Sequence, residues 1–249
     1  MCLKTIVFMC TVTIIPKGDN DFVLTSNRDE APQRISLAPK VYTIDDTRLL
    51  FPKDKLSGGT WIGVSEKNRL VCVLNGGFEK HKRQQQYRLS RGVVAKAFLV
   101  SDDILSIMTS FILEDIEPFT MVLADWNGGL KFYELIWDGQ KKHITELPLE
   151  PKIWSSSTLY NSNMKKERLE WFESFKNENS LNAASLLKFH KTAGNPNKDY
   201  GVIMDRGFVK TTSITQVEKF SDMVDMRYEN LQTHEATQSQ YKLPQIVNE

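Results

Sequence analysis

The chain is short of several things, and each shortage excludes a class. Its three cysteines, Cys2, Cys10 and Cys72, are too few and too scattered for a disulfide framework or a thiolate metal centre. Its four histidines, His81, His143, His190 and His234, lie far apart and show no ligand spacing. No metal and no other cofactor is implied. Neither sign of charge dominates: 32 Lys and Arg against 31 Asp and Glu leave +1, so no bulk field draws nucleic acid or acidic membranes. No apolar run approaches the roughly 20 residues of a membrane span. The start of the chain lacks the small-residue cleavage site of a secretion signal and continues into a patterned strand. With so few cysteines, the expected setting is the reducing cytoplasm. Repeats are absent, as is any Pro- or Gly-rich linker, so residues 1–249 read as one domain, with a polar, Gln-rich surface tail at 228–249. The oligomeric state has no signature.

What is present is an ordinary globular composition, 41% hydrophobic and 25% charged, in a chain long enough to bury a sizeable core. The stretch that organises it is the first. Met1-Cys2 opens a run rich in Ile, Val, Phe and Thr that reads as a buried central strand over residues 3–15. A small residue at position 2 permits removal of Met1, which would leave the Cys2 thiol and its own α-amine on one carbon. A thiol pKa of about 8.5 and an α-amine pKa of about 7.7–8.0 allow the amine to take the thiol proton without a histidine. That is a nucleophile with its base attached. The plainer reading is a small apolar residue. Cys10 and Cys72 are expected to be inert core residues.

Gly18-Asp19-Asn20 is a turn signal, and residues 3–15 and 21–26 read as a hairpin. Its second strand runs into Asn27-Arg28-Asp29-Glu30, which the hairpin would return to the level of Cys2. Taken alone, these four residues would be a helix cap and a solvated ion pair. In company they are more specific. Met1-Cys2, Asn27-Arg28-Asp29-Glu30, Ser57-Gly58-Gly59-Thr60-Trp61-Ile62-Gly63-Val64, Leu74-Asn75-Gly76-Gly77 and Ser90-Arg91-Gly92 occur in this order. In that order and spacing the chain resembles the NRDE family, which includes the transport and Golgi organisation 2 proteins. The resemblance implies an α+β fold, the four-layer αββα sandwich of N-terminal nucleophile hydrolases. Relatives on that fold cleave amides of small acyl groups with an N-terminal Cys.

The resemblance assigns the site: Cys2 as nucleophile, Arg28 to orient it or to bind a substrate carboxylate, Asp29 to hold the ammonium or fix Arg28. Asn75 is a candidate oxyanion donor, although Asn-Gly is equally a turn former. Asn27, Glu30, Trp61, Ser156 and Ser157 are expected around the substrate. Related families carry an Asn near Ser156 and Ser157, and an Arg where this chain has Thr211-Thr212. Those two departures leave two functions open. One is a cysteine amidohydrolase acting on a small-molecule C–N bond. The other is a non-catalytic protein that binds or carries haem or a lipid-like ligand.

The remaining elements follow from local signals. Residues 31–56, with Pro32, Pro39 and Pro52, read as a long loop with short extended pieces. Gly58–Val64 and Asn68–Asn75 read as a second hairpin, and the Gly58-Gly59 pair implies either unusual backbone or a close approach. The basic run within 78–88 reads as a solvated loop. Helices are expected from Ser90 to Val100 and after Asp102-Asp103, then at Lys165–Asn177 and Leu181–His190. Strands are expected at 119–125, 130–137, 143–147, 152–158, 200–205 and 208–217, with Asn127-Gly128-Gly129 turning the first pair.

Overall fold

The structure, a computed structural model, describes residues 10–243. The first hairpin is β1 (Cys10–Lys17) and β2 (Asp21–Glu30), turned through Gly18 at φ +65°. Residues 3–9 of the expected first strand lie outside the described residues. The next strands are β3 (Ser36–Ile44), β4 (Thr47–Asp54), β5 (Ile62–Ser65) and β6 (Arg69–Asn75). Helices α1 (Arg91–Val100) and α2 (Ile104–Ser110) follow, capped by the side chains of Ser90 and Asp103 as their positions predict. Then come β7 (Phe119–Asp125), β8 (Lys131–Trp137), β9 (Lys142–Leu147) and β10 (Lys152–Ser155). Helices α3 (Ser162–Glu178) and α4 (Ala183–Thr192) precede β11 (Lys210–Phe220), β12 (Met223–Asn230) and β13 (Glu235–Lys242).

The strands form two antiparallel sheets, β10-β1-β2-β11-β12-β13 and β3-β4-β5-β6-β7-β8-β9. Three apolar clusters set the layers. One draws Val12, Ile14, Phe22, Leu24 and Val217 from the first sheet and Ile62, Leu70, Cys72 and Val122 from the second, so the sheets face each other across it. A second packs the opposite side of the seven-stranded sheet, with Val71, Val73, Met121 and Leu123, on Val94, Phe98 and Met108 of α1 and α2. A third packs Ile15 and Val23 of the six-stranded sheet on Phe172, Leu186 and Phe189 of α3 and α4. The order is therefore α1–α2, seven strands, six strands, α3–α4: the four-layer αββα sandwich. Both readings of the glycine pair are realised. Gly58 has φ +67°, and a Cβ on Gly59 would meet the Gly92 Cα at 3.2 Å, so α1 docks directly on this segment.

Three expectations need correction. Residues 31–56 are not a loop: β3 and β4 form a hairpin, turned by Asp45 and Asp46, both at positive φ. Residues 200–205 form no strand beyond a single Asp205–Lys210 bridge. Their carbonyls are used by side chains instead: Tyr200 O and Gly201 O accept from Arg168, and Val202 O accepts from Asn27. Residues 228–242 are not a surface tail. They complete β12 and supply β13, burying Tyr228, Glu229 and Tyr241. Among the described residues no helix is long and apolar enough to cross a membrane.

Candidate active site

Strand alternation splits the Asn27-Arg28-Asp29-Glu30 run between two faces. Arg28 and Glu30 face the space between the sheets, as do Phe22 and Leu24 earlier in β2. Arg28 donates to Asp54 of β4 at 2.8 Å and to Glu30 at 3.1 Å, and its guanidinium lies 4.6 Å from the centre of the Trp61 ring. Arg34 pairs with the same two carboxylates, at 2.7 Å to Asp54 and 3.6 Å to Glu30. Two cations and two carboxylates thus neutralise one another across the sheet interface. Burial raises the Glu30 carboxyl despite Arg28 and Arg34. Burial also opposes ionisation of Asp54, but hydrogen bonds from Ser57 and Arg34 outweigh it and lower that carboxyl. Arg28 is held by Glu30 and Asp54 rather than by Asp29.

Asn27 and Asp29 face the other way, toward α3 and α4. Asn27 Nδ2 donates to Val202 O at 2.6 Å and His190 O at 3.0 Å. Its Oδ1 lies 2.7 Å from His190 Nδ1, which fixes that nitrogen as a donor and Nε2 as the acceptor of the Thr13 hydroxyl at 2.8 Å. Burial, then the Arg168 charge, push His190 down to about 3, so the ring is neutral. Asp29 accepts from the hydroxyls of Thr211 at 2.6 Å and Tyr160 at 2.9 Å. Burial still outweighs those bonds and the charge of Arg168, and holds the Asp29 carboxyl up at about 6.

Arg168, like Asp54, is a polar residue that sequence reasoning missed. It is fully buried, donates to Thr11 Oγ1 at 2.6 Å and Ser155 Oγ at 3.1 Å, and sits 3.8 Å from the Tyr160 ring centre. Its signal was available: it lies four residues before buried Phe172, on the apolar stripe of α3, where a charge needs a reason.

Asn75, Ser156 and Ser157 lie close together. The Ser156 hydroxyl donates to Asn75 O, and the Ser157 hydroxyl to Gly77 O. Gly76, at φ +85°, makes this possible, since a Cβ there would fall 2.7 Å from Thr158 Cγ2. Beside them is a cleft of about 370 Å³ lined by Phe78, Lys80, Ser157, Tyr160, Asn161 and Lys165. The Lys165 ammonium donates to Ser157 Oγ at 2.8 Å, and burial lowers its pKa. Deeper between the sheets, the hydroxyls of Ser213, Thr215 and Tyr228 and the Trp61 indole N–H have no hydrogen-bond partner among the described residues. Ser213 is paired with Arg28 and Thr215 with Tyr228 in the sheet register, so the row runs inward from the arginine. Cys2 lies outside the described residues. Cys72 is buried, and burial pushes its thiol up to about 12.

Solved structures share this architecture. Penicillin V acylase from Agrobacterium tumefaciens superposes with a TM-score of 0.55 at 12% identity, over 92% of this chain and 85% of that one. A variant of the conjugated bile acid hydrolase from Clostridium perfringens gives 0.52 at 11%, over 94% and 97%. The N-acylethanolamine-hydrolyzing acid amidase ortholog of Caenorhabditis elegans gives 0.50 at 10%, over 83% and 92%. The fold is that of the N-terminal nucleophile hydrolases. No curated protein matches the sequence. The model of the family Transport and Golgi organisation 2 matches residues 1–237, and the chain belongs to that family.

Proposed function

We propose that this protein is a cysteine hydrolase of a small-molecule amide, with an N-terminal cysteine as nucleophile. The observation that carries the reading is Arg28, buried between the two sheets at the end of the strand paired with β1. A thiolate formed beside Arg28 would have a guanidinium as its near neighbour, which favours its ionisation even though Glu30 and Asp54 share that cation. The α-amine takes the thiol proton, sulfur bonds to the amide carbonyl carbon, and the C–N bond breaks as the amine leaves with that proton. Water then splits the thioester to the carboxylic acid and returns the thiol. Asn75 would face the developing oxyanion. The cleft beside Ser157 has the size of a small-ligand site, roughly 300 Å³ or more. A free thiol nucleophile suits a reducing, cytoplasmic setting.

A binding or carrier role for haem or a lipid-like molecule is the competing reading. It is favoured by Ser156 and Ser157, whose hydroxyls donate to backbone carbonyls where relatives carry an Asn. The two separate in one experiment: a panel of N-acyl amides with short and long acyl chains, followed by amine release, beside a haem titration followed by the Soret band. Amine release abolished by iodoacetamide supports the hydrolase. A saturable Soret shift with no amine released from any member supports the carrier.

A further inference from the structure

The antiparallel register of the first hairpin sets Cys10 directly across from Arg28, and Thr11 across from Asn27. On its other side β1 pairs with β10, Thr11 opposite Ser155, so the segment leading to Ser156 runs alongside the same position. Along β1, Thr11 and Thr13 lie on the helix side, where they meet Arg168 and His190, while Val12 and Ile14 lie in the core between the sheets. Position 10 stands two residues before Val12 in that alternation and is the Cα partner of Arg28. The place at Arg28 that the hairpin was expected to give Cys2 is held by Cys10.

The strand directions add a second point. Past Arg28, β2 continues to Asp29 and Glu30, the way β1 runs back toward its own beginning. The α-nitrogen of Cys10 thus lies on the Asp29 side of Arg28. Asp29 is already oriented by Tyr160 and Thr211, and a carboxylate has acceptor capacity beyond two hydrogen bonds. The sequence immediately before is Met9, so Met9-Cys10 repeats the Met-Cys pair of positions 1 and 2.

We propose that the nucleophile is Cys10, exposed by hydrolysis of the Met9–Cys10 peptide bond, with Asp29 holding the new ammonium. Water supplies the balance: its hydroxyl joins the Met9 carbonyl carbon and its proton the Cys10 nitrogen. An aminopeptidase performs this step if translation starts at Met9, an endopeptidase if it starts at Met1; the product is the same. The inference rests on the N-terminal cysteine reading above and replaces its Cys2 by a residue the sheet register selects.

2-Cyanobenzothiazole tests it, because it condenses with the amine and thiol of an N-terminal cysteine together. The protein is purified from its full coding sequence, its intact mass measured, and the adduct mapped. The expected result is a mass short by residues 1–9, an adduct on Cys10 and at least a tenfold loss of adduct in Cys10→Ser, whose melting curve matches the parent. A Met9→Leu variant separates the routes: an unchanged Cys10 adduct means endoproteolysis, a lost one means initiation at Met9. An adduct on Cys2 overturns this inference and leaves the N-terminal cysteine reading standing. An intact Met9–Cys10 bond with no adduct on either residue overturns both.

Discussion

At the scale of single residues, the six-stranded sheet carries polar side chains as a buried layer on both faces, and each face has a testable cost. His190 is held neutral at a pKa of about 3 against an ordinary 6.5. Its contribution to stability is complete above 6.5 and is lost as pH falls toward 3, because the unfolded chain takes up the proton first. The slope is at most about 1.4 kcal/mol per pH unit. In His190→Gln, which keeps a donor and an acceptor, urea unfolding between pH 6.5 and 4 should show a correspondingly shallower decline than the parent. On the other face, Arg28→Ala would strand Glu30 and Asp54 beside Arg34 alone. Removing one partner of a buried ion pair costs roughly 3–5 kcal/mol, so the urea midpoint should drop accordingly. An unchanged midpoint would mean that Arg28 is not a tie between the sheets.

At the scale of elements, Glu117 gathers two side chains of the segment between β6 and α1 together with the first residue of α1. Glu117 meets His81 at 3.3 Å, Arg83 at 3.6 Å and Arg91 at 3.3 Å. Burial disfavours its charge, but the His81 hydrogen bond and the Arg91 and Arg83 charges win and lower its pKa. The tie is present above the ordinary glutamate range and lost as pH falls through the lowered value. Glu117→Gln should therefore increase hydrogen exchange across residues 78–90 at neutral pH while leaving β7 protected. Equal exchange in both proteins would place the anchor elsewhere.

The elements also show what the sequence could convey. β7–β8 and the helix starts at Ser90 and Asp103 carried turn and cap chemistry within a few residues of themselves and appear as read, while the β5–β6 hairpin appears with its first strand at Ile62–Ser65 rather than from Gly58. The β3–β4 hairpin was hidden by Pro39 and Pro52, although Asp45-Asp46 between Thr43-Ile44 and Thr47-Arg48 was a two-residue turn in plain sight. β13, Glu-Ala-Thr-Gln-Ser-Gln-Tyr-Lys, is a sheet edge exposed at most positions, so it has no apolar alternation to read. The site was legible in its members and not in its pairing. Arg28 and Trp61 were named from the sequence, as were Asn75, Ser156 and Ser157. Asp54, Arg168 and the Cys10 register depend on contacts between residues distant in sequence.

At the scale of the whole molecule, the sandwich closes only with its last strands in place. Tyr241 of β13 donates its hydroxyl to Arg48 O of β4 at 3.2 Å, joining the two sheets, and β13 covers the edge of β12. Ending the chain after Asn230 should lower the melting temperature strongly and expose Val224 and Met226 to dye binding. A tail that only decorates the surface would leave melting unchanged.

The proposed function rests on covalent catalysis by an N-terminal cysteine beside Arg28. It is tested most directly by rapid-quench intact-mass spectrometry after mixing the purified protein with short- and long-chain p-nitrophenyl acyl esters. A transient mass increase of one acyl group is expected, mapped to the N-terminal cysteine and decaying as acid is released. An acyl group on Cys72, or a protein whose mass never changes across the ester series, would contradict it.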